Sequence, residues 1–153
     1  MDNILENISS CSVSFSLIEG HKIAVSECSV LEKSLAYDFL NSATIDKKEI
    51  DIHKEYLEQC DRVYFYSRLN VPKSMGGKGI GTKLLKKTLE YMEKENAFLI
   101  NTVNAYGSLN TQELIDFYAK HSMRVIHSDG LLIYYKAMPQ LKAGVEKEKH
   151  KFK

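Results

Sequence analysis

Four of the chain's eight glycines lie between positions 76 and 81, in the stretch MGGKGIGTKLLKK. An amphipathic helix pattern begins directly behind them. Glycine allows a ligand to approach the backbone closely, and the first N–H groups of a helix have no intrahelical acceptor. With the helix dipole, these N–H groups form a site for an anion the size of a pyrophosphate. The chemistry predicted for this loop is therefore the binding of a phosphate-bearing ligand.

Two familiar phosphate-binding loops do not fit the spacing. A P-loop ends in Gly-Lys-Ser/Thr, whereas Gly81 is followed by Thr82 and Lys83 in the reverse order. The dinucleotide fingerprint needs a third glycine, and Thr82 occupies that position. A flexible connector is the remaining alternative. It would not need Gly79 and Gly81 in the first helical turn, where each costs about 1 kcal/mol relative to alanine.

The stretch LNVPKSMGGKGIGTKLL resembles the cofactor-binding segment of the GNAT N-acetyltransferase superfamily. That family has an arginine or glutamine, two residues, glycine, one residue, then glycine or alanine, behind a strand that ends in valine. Gly79, Gly81 and Val71 match the pattern, but Gly76 stands where arginine or glutamine is usual. Lys73 or Lys78 could supply the missing charge. The resemblance covers residues 61 to 136.

A second match lies in ELIDFYAKHSMRVI, which is similar to a later helix of the family. Tyr118 fits the family's tyrosine, while Ser122-Met123 replaces a glycine-aromatic pair. The resemblance implies acetyl-CoA as the cofactor and two central strands, 63–71 and 97–104, that splay apart to admit its pantetheine arm. It assigns cofactor binding to the strand residues Leu69, Asn70 and Val71 and to the loop residues Gly76, Gly77, Lys78, Gly79, Ile80, Gly81 and Thr82.

The reaction implied is acyl transfer from a thioester to an amine. Tyr118 is the candidate proton donor to the departing thiolate, and the Val71 N–H is the candidate donor to the oxygen of the tetrahedral intermediate. The strand 63–71 contains no Asp or Glu, although the family often places one there. We assign no base, and we interpret the nearest candidates as surface residues: His53, Glu58, Asp61 and His127. Tyr64 and Tyr66 are expected to line the acceptor pocket.

The leading hypothesis is an acetyl-CoA-dependent N-acetyltransferase that acts on a primary amine of a small molecule, a peptide or a protein lysine. A GNAT-like module that binds CoA or a protein without catalysis is the alternative, favoured by the missing arginine or glutamine and the missing acidic base. A third hypothesis is a toxin-type acetyltransferase of aminoacyl-tRNA.

The charge distribution bears on these hypotheses. Residues 1–61 carry 5 basic and 12 acidic side chains, a balance of −7, and residues 62–153 carry 16 and 8, a balance of +8. The glycine loop lies in the cationic half, which suits an anionic ligand. An acidic half and only three arginines argue against a nucleic-acid partner.

The elements that must position these residues follow from periodicity. SVSFSLIEGHKIAVSECSV (12–30) predicts a hairpin turning at Glu19-Gly20, with Val13, Phe15 and Leu17 on one face and Ile23 and Val25 following after the turn. Two short helices are expected over residues 30–60. DRVYFYSRLNVP (61–72) predicts a strand that stops before Pro72.

Periodicity and capping residues also predict the elements in the second half of the chain. Helices are predicted from about Gly79 to Lys94 and from Thr111 to about His121, the latter capped by Asn110 with Glu113. A strand is predicted at 97–104, and MRVIHSDGLLIYYK predicts a final hairpin. The fold class is therefore α/β (α+β): a GNAT-like, mixed and mainly antiparallel central sheet with splayed central strands, flanked by helices.

Length and composition predict one domain, residues 1–139, followed by a lysine-rich C-terminal tail, residues 140–153. The N-terminus is acidic and no apolar run is long enough for a membrane span, so we expect a cytoplasmic protein without a membrane partner. Cys11, Cys28 and Cys60 have no metal-like spacing and are expected to be reduced thiols, and no metal site is predicted. Dimerisation is common in the family, so a homodimer is a further expectation.

Overall fold

The computed structural model describes residues 3–103 and 110–136 of the chain. The predicted tail at 140–153 and the last residue of the predicted strand 97–104 lie outside these ranges. In chain order the elements are β1 (Leu5–Ile8), β2 (Ser12–Glu19), β3 (Lys22–Val30), α1 (Lys33–Asn41), α2 (Lys47–Gln59), β4 (Arg62–Asn70), α3 (Ile80–Lys94), β5 (Ala97–Thr102), α4 (Thr111–Lys120), β6 (Arg124–His127) and β7 (Leu131–Tyr134).

The seven described strands form one sheet in the order β1-β2-β3-β4-β5-β7-β6. Every neighbouring pair is antiparallel except β4 and β5, which are parallel. The predicted mixed α/β (α+β) architecture with a mainly antiparallel sheet is therefore confirmed. Parallel neighbours need a crossover connection, and α3 supplies it between β4 and β5.

The helices cover the sheet on both faces. Phe39 of α1 stacks on Phe65 of β4, with ring centroids 6.1 Å apart, whereas Tyr91 of α3 meets Tyr64 edge to face at 6.2 Å. Because successive side chains of a strand point to opposite faces, α1 and α3 lie on opposite sides of the sheet. The strand β4 is thus covered from both sides at its first half, which explains its long apolar run.

The β2–β3 hairpin has the predicted position but a different buried face on its second strand. Its turn brings Glu19 opposite Lys22, with Gly20 at φ +62°, so Leu17 pairs with Ala24 and Phe15 with Ser26. The small side chains of β3 therefore face α3. Ile23 is 52% exposed, so the apolar residues that follow the turn do not form the buried face of β3, which consists of Ala24, Ser26 and Cys28.

The strand β1 was not predicted. It pairs antiparallel with β2 at the edge of the sheet, and all four of its residues are exposed. A strand without a buried side has no apolar alternation to reveal it. The remaining predicted elements are present, including the Asn110–Glu113 capping box at the start of α4.

The helix α2 carries a buried polar cluster that the sequence did not suggest. Arg124 donates to both carboxylate oxygens of Glu49, at 2.8 Å from Nε and 2.7 Å from the terminal nitrogen. His53 lies 2.8 Å from Glu49 Oε2 through Nε2 and 2.7 Å from the Tyr135 hydroxyl through Nδ1. His53 has no exposed surface, so its interpretation as a surface residue is wrong. The cluster joins α2 to β6 and to the end of β7.

Candidate functional site

The two central strands separate after a short ladder. β4 and β5 pair only from Arg62↔Ala97 to Phe65↔Ile100. Beyond that point β4 continues to Asn70 along β3, and β5 continues along β7. The predicted splay of the central strands is confirmed, and it leaves two facing strand edges with a gap between them.

A β-bulge in β4 lies at the start of this gap. Cys28 and Glu27 of β3 are consecutive, but they pair with Tyr66 and Arg68, so Ser67 is the extra residue. A bulge shifts the alternation of a strand, and bulges are frequent next to binding sites. Here the shift brings Val71 toward α3, as its Cγ2 atom shows: it lies 3.5 Å from the position that a Cβ at residue 81 would take.

The gap is the floor of a cleft with a volume of about 480 Å³. This volume lies within the range of small-molecule sites, about 300–1,000 Å³. Among the described residues its charged lining side chains are Arg68 and Lys73. Arg68 Nε donates to Glu27 Oε1 across the β3–β4 ladder at 3.2 Å, with both side chains partly exposed. The charge of the lining is therefore cationic, in agreement with an anionic ligand.

The start of α3 forms one wall of the cleft. Gly77 and Gly79 have φ of +77° and +72°, a backbone region that glycine adopts without strain. Gly79 is the N-cap and offers no side-chain cap, and the first intrahelical bond runs from the Lys83 N–H to the Gly79 carbonyl at 3.0 Å. Gly79 thus precedes the helix, a correction to its predicted place in the first turn. The N–H groups at 80 to 82 have no intrahelical acceptor.

The backbone of this wall is open at its first two glycines with positive φ. A Cβ built at Gly77 or Gly79 would meet no other atom within 4 Å, so the space in front of the backbone is open. At Gly81 the same atom would lie 3.5 Å from Val71 and 3.9 Å from Phe117. The open backbone and the uncapped helix dipole together suit a group with two negative charges.

Nine of the ten predicted cofactor residues line the cleft. They are Leu69, Asn70, Val71, Gly76, Gly77, Gly79, Ile80, Gly81 and Thr82. Lys78 does not: its Nζ donates to Glu19 Oε1 at 2.7 Å, which ties the glycine loop to the β2–β3 turn. Lys73, the other lysine expected to replace the missing arginine or glutamine, does line the cleft.

Tyr118, the predicted proton donor, lines the cleft from α4 and is 7% exposed. Tyr66 lies beside it and also lines the cleft, whereas Tyr64 lies outside the lining, packed against Tyr91. Their expected place in an acceptor pocket stays a prediction. The Tyr66 hydroxyl belongs to a buried chain: it lies 2.5 Å from Ser26 Oγ, which lies 2.6 Å from Thr88 Oγ1.

The donor of each hydrogen bond in this chain of hydroxyls can be deduced from Thr88, whose partner is a carbonyl oxygen that can only accept. Thr88 donates to the Leu84 carbonyl at 2.9 Å, so its oxygen accepts from Ser26, and Ser26 in turn accepts from Tyr66. The Tyr66 proton therefore points into the core. Burial, the nearby Cys28 and Tyr118 raise the pKa of Tyr66 well above its usual value, which also disfavours Tyr66 as an acid.

His121 lies behind the start of α3. Its Nε2 is 3.5 Å from Oγ1 of Thr82, and its ring meets Phe117 edge to face at 4.9 Å. Burial, followed by the charges of Lys120 and Lys86, lowers the pKa of His121 below its usual value of 6.5. No sequence pattern predicts this histidine beside the glycine loop, because the contact depends on how α4 packs against α3.

The four weak candidates for a base lie elsewhere among the described residues. None of them lines the cleft: Glu58 accepts from the Tyr37 hydroxyl, His127 lies 3.6 Å from Asp129, and Asp61 accepts from Asn96. His53 is held in the buried cluster described above. The structure does bring one unpredicted polar residue into the cleft, Asn101 of β5.

Comparison of the chain with models of protein families, with curated proteins and with solved structures finds no match in any of the three. The resemblance to the GNAT superfamily stays a prediction. In the described ranges, no helix combines the length and apolar character needed to cross a bilayer.

Proposed function

We propose that the chain is an acetyl-CoA-dependent N-acetyltransferase that transfers an acetyl group to a primary amine of a small molecule, a peptide or a protein lysine. One observation carries the proposal. The parallel strands β4 and β5 separate after four pairs, and the cleft between them is walled by the glycine-flanked, uncapped start of α3.

The cleft offers two kinds of contact that suit CoA. The N–H groups at the start of α3 and the cation Lys73 would hold the diphosphate. The edge of β4 at Leu69 and Asn70, together with Val71 directly after it, would pair with the amides of the pantetheine arm, as an added strand pairs with the edge of a sheet. Bound acetyl-CoA would supply an activated acyl group.

The chain's own residues would hold the ligand and move one proton. Tyr118 is the residue whose hydroxyl would donate to the departing sulfur, because its ring lines the cleft beside the β4 edge. The Val71 N–H is the proposed donor to the acyl oxygen. Removal of the amine proton is assigned to water, since no carboxylate lies among the described lining residues.

A non-catalytic module that binds CoA is the second candidate. Two features favour it: Gly76 at the position of the family's arginine or glutamine, and a described cleft lining without a carboxylate. Such a module would bind the cofactor but show no acyl transfer to any amine. The tRNA-directed alternative predicts salt-dependent binding of tRNA and is tested by that measurement.

Thermal unfolding with and without acetyl-CoA tests the proposal first. At about 100-fold excess over Kd, a ligand that binds only the folded state stabilises it by about 2.7 kcal/mol. For a domain of this size we expect the unfolding temperature to rise by about 5–10 °C. Absence of a shift at millimolar acetyl-CoA, with the protein folded, would remove the cofactor and with it the proposed reaction.

Release of free CoA thiol in the presence of a panel of primary amines then separates the enzyme from the binding module. The panel should include polyamines, amino sugars, peptides with a free N-terminus and lysine-containing peptides. Amine-dependent thiol release supports the enzyme. Cofactor binding without release on any of these amines favours the binding module.

A further inference from the structure

Asn101 places a carboxamide in the cleft at the point where β4 and β5 separate. Asn101 is the first residue of β5 beyond the last β4–β5 pair, and only 3% of the residue's surface is exposed. Its side chain reaches Met123, next to β6, and it lines the cleft together with Tyr66 and Tyr118. Asn101 therefore lies at the inner end of the gap, whereas Val71 lies beside the start of α3.

The hydrogen-bonding capacity of Asn101 is mostly unused. A carboxamide has two N–H donors and an acceptor oxygen. Within the described ranges its side chain makes one hydrogen bond, from Nδ2 to Met123 Sδ at 3.8 Å. A thioether is a weak acceptor, and the carboxamide oxygen makes no hydrogen bond within the described ranges. Among the described side chains, the polar atom that is fully buried without a partner is the Tyr64 hydroxyl, so the unused Asn101 groups remain accessible from the cleft. A group of this kind in a cleft points to a polar ligand atom as its missing partner.

We propose that Asn101 binds the pantetheine–thioester arm of the cofactor by a hydrogen bond from its carboxamide to an amide or thioester carbonyl of that arm. This inference rests on the proposed function. If the diphosphate lies at the start of α3 beside Val71, an arm that follows the β4 edge inward ends near Tyr66 and Asn101. Those carbonyls are then the polar groups that come within reach of the carboxamide.

The substitution Asn101→Leu separates a binding role from a structural one. Leucine has nearly the same shape as asparagine but no polar atoms. Removing a poorly paired buried amide should leave the unliganded protein equally stable or more stable, as is common when a binding residue is replaced. A residue needed only for the fold would behave in the opposite way, with a lower unfolding temperature.

The experiment is calorimetric titration of the wild type and Asn101→Leu with acetyl-CoA, CoA and ADP, with unfolding temperatures of both unliganded proteins. ADP carries the diphosphate but lacks the arm. We expect Asn101→Leu to weaken acetyl-CoA binding about tenfold, equivalent to about 1.4 kcal/mol, and to leave the affinity for ADP unchanged. An equal loss for CoA would identify a pantetheine amide as the partner, and a loss confined to acetyl-CoA would identify the thioester.

Met123→Leu is the matched control, because it removes the only described partner of the Asn101 side chain and keeps the carboxamide. Its affinity for acetyl-CoA should equal that of the wild type. The inference is overturned if Asn101→Leu binds acetyl-CoA normally, if it loses affinity for ADP to the same extent, or if Met123→Leu shows the same loss. If the wild type binds ADP but neither CoA nor acetyl-CoA, the proposed function fails and the inference fails with it.

Discussion

Tyr66 and Tyr118 meet edge to face in the cleft, with 5.9 Å between ring centroids and 62° between ring planes. The two tyrosines are neighbours, yet their chemical environments differ. The Tyr66 hydroxyl donates into a buried chain that ends on a main-chain carbonyl of α3. The pair therefore offers a built-in comparison between a proposed catalytic tyrosine and a structural one.

Tyr118→Phe should abolish most of the acyl transfer without preventing cofactor binding. Loss of a general acid typically costs a factor of about 10² to 10⁴ in rate. The ring that packs against Tyr66 and Phe117 is retained, so the fold and the affinity for acetyl-CoA should change little. Thiol release under saturating acetyl-CoA measures the first effect, and titration of the cofactor measures the second.

Tyr66→Phe is the control for that experiment. It leaves Ser26 without its donor, so we expect a loss of about 1–3 kcal/mol in the free energy of unfolding and a rate close to that of the wild type. Should Tyr66→Phe lower the rate as strongly as Tyr118→Phe, the assignment of the proton donor to Tyr118 would be wrong.

Gly81→Ala should weaken cofactor binding while leaving the fold intact. Gly81 lies inside α3, and its added methyl group would meet Val71 at 3.5 Å, an ordinary contact. Alanine is the better helix former by up to about 1 kcal/mol, so the unliganded variant should be at least as stable as the wild type. The methyl group would narrow the approach to the helix N–H groups, and titration with acetyl-CoA should show a higher Kd.

Gly79→Ala should lower the stability of the unliganded protein, whereas Gly81→Ala should not. Its φ of +72° is strained for alanine, so the free energy of unfolding should fall by about 1 kcal/mol. Denaturant unfolding of both variants checks the pair. Equal stability of Gly79→Ala and the wild type would show that the loop relaxes around this position.

Glu49→Gln should make stability less dependent on acid pH. Burial alone would raise the pKa of Glu49, but hydrogen bonds and charges from His53 and Arg124 outweigh it and lower the pKa to about 2. A carboxyl whose pKa falls from 4.5 to about 2 on folding contributes about 3 kcal/mol of stability above pH 4.5, and this contribution is lost as pH falls toward 2. Glutamine cannot provide it at any pH.

The measurement is urea unfolding of the wild type and Glu49→Gln at several pH values from neutral to about pH 3. The difference in unfolding free energy between the wild type and Glu49→Gln should be constant above about pH 5 and become smaller below it. Glu55→Gln, at an exposed position of the same helix, should have the same unfolding free energy as the wild type at every pH. If the difference between the wild type and Glu49→Gln stays the same at acid pH, protonation of Glu49 does not cause the predicted loss of stability.

Cofactor affinity should rise as pH is lowered through the titration of His121. The pKa of free His121 lies below 6.5, so the side chain is neutral at pH 7, and a bound diphosphate near Thr82 would favour its protonated form. Binding then takes up protons, so the affinity should increase as the pH is lowered from about 8 to about 6. Dephospho-CoA is the suitable ligand, because it lacks the titrating 3′-phosphate.

His121→Gln should bind dephospho-CoA with an affinity that does not change over this pH range. His21→Gln, in the exposed β2–β3 turn, should retain the pH dependence of the wild type. If the wild type and His121→Gln show the same pH profile, His121 does not sense the bound diphosphate.

Local patterns predicted most of the fold because the relevant signals are local. The start of α4 was predicted from an N-cap and its third residue, and both hydrogen bonds of the capping box are present. The hairpin at 12–30 and the strand β4 likewise follow from alternation within a few residues. β1 was missed because an exposed edge strand needs only backbone pairing with β2.

The parts of the candidate site that depend on local backbone conformation could be predicted from the sequence. The parts that depend on how distant elements pack together could not. The glycines at 77 and 79 mark positive φ directly. By contrast, Asn101 becomes a cleft residue only because its strand leaves β4 one residue earlier. His53 was misjudged because Glu49, His53 and Leu57 form the buried stripe of α2, and two of these three residues do not count as apolar.

The separation of β4 from β5 also divides the sheet mechanically. Four strands on one side and three on the other are joined along a seam of only four residue pairs. A ligand with its own amides that pairs with the free edge of β4 and contacts β5 would bridge the two parts of the sheet, and the two half-sheets would then open less often. Amide hydrogen exchange at residues 69–71 would slow on binding even where no side chain touches the ligand, because exchange there reports how often the two half-sheets separate.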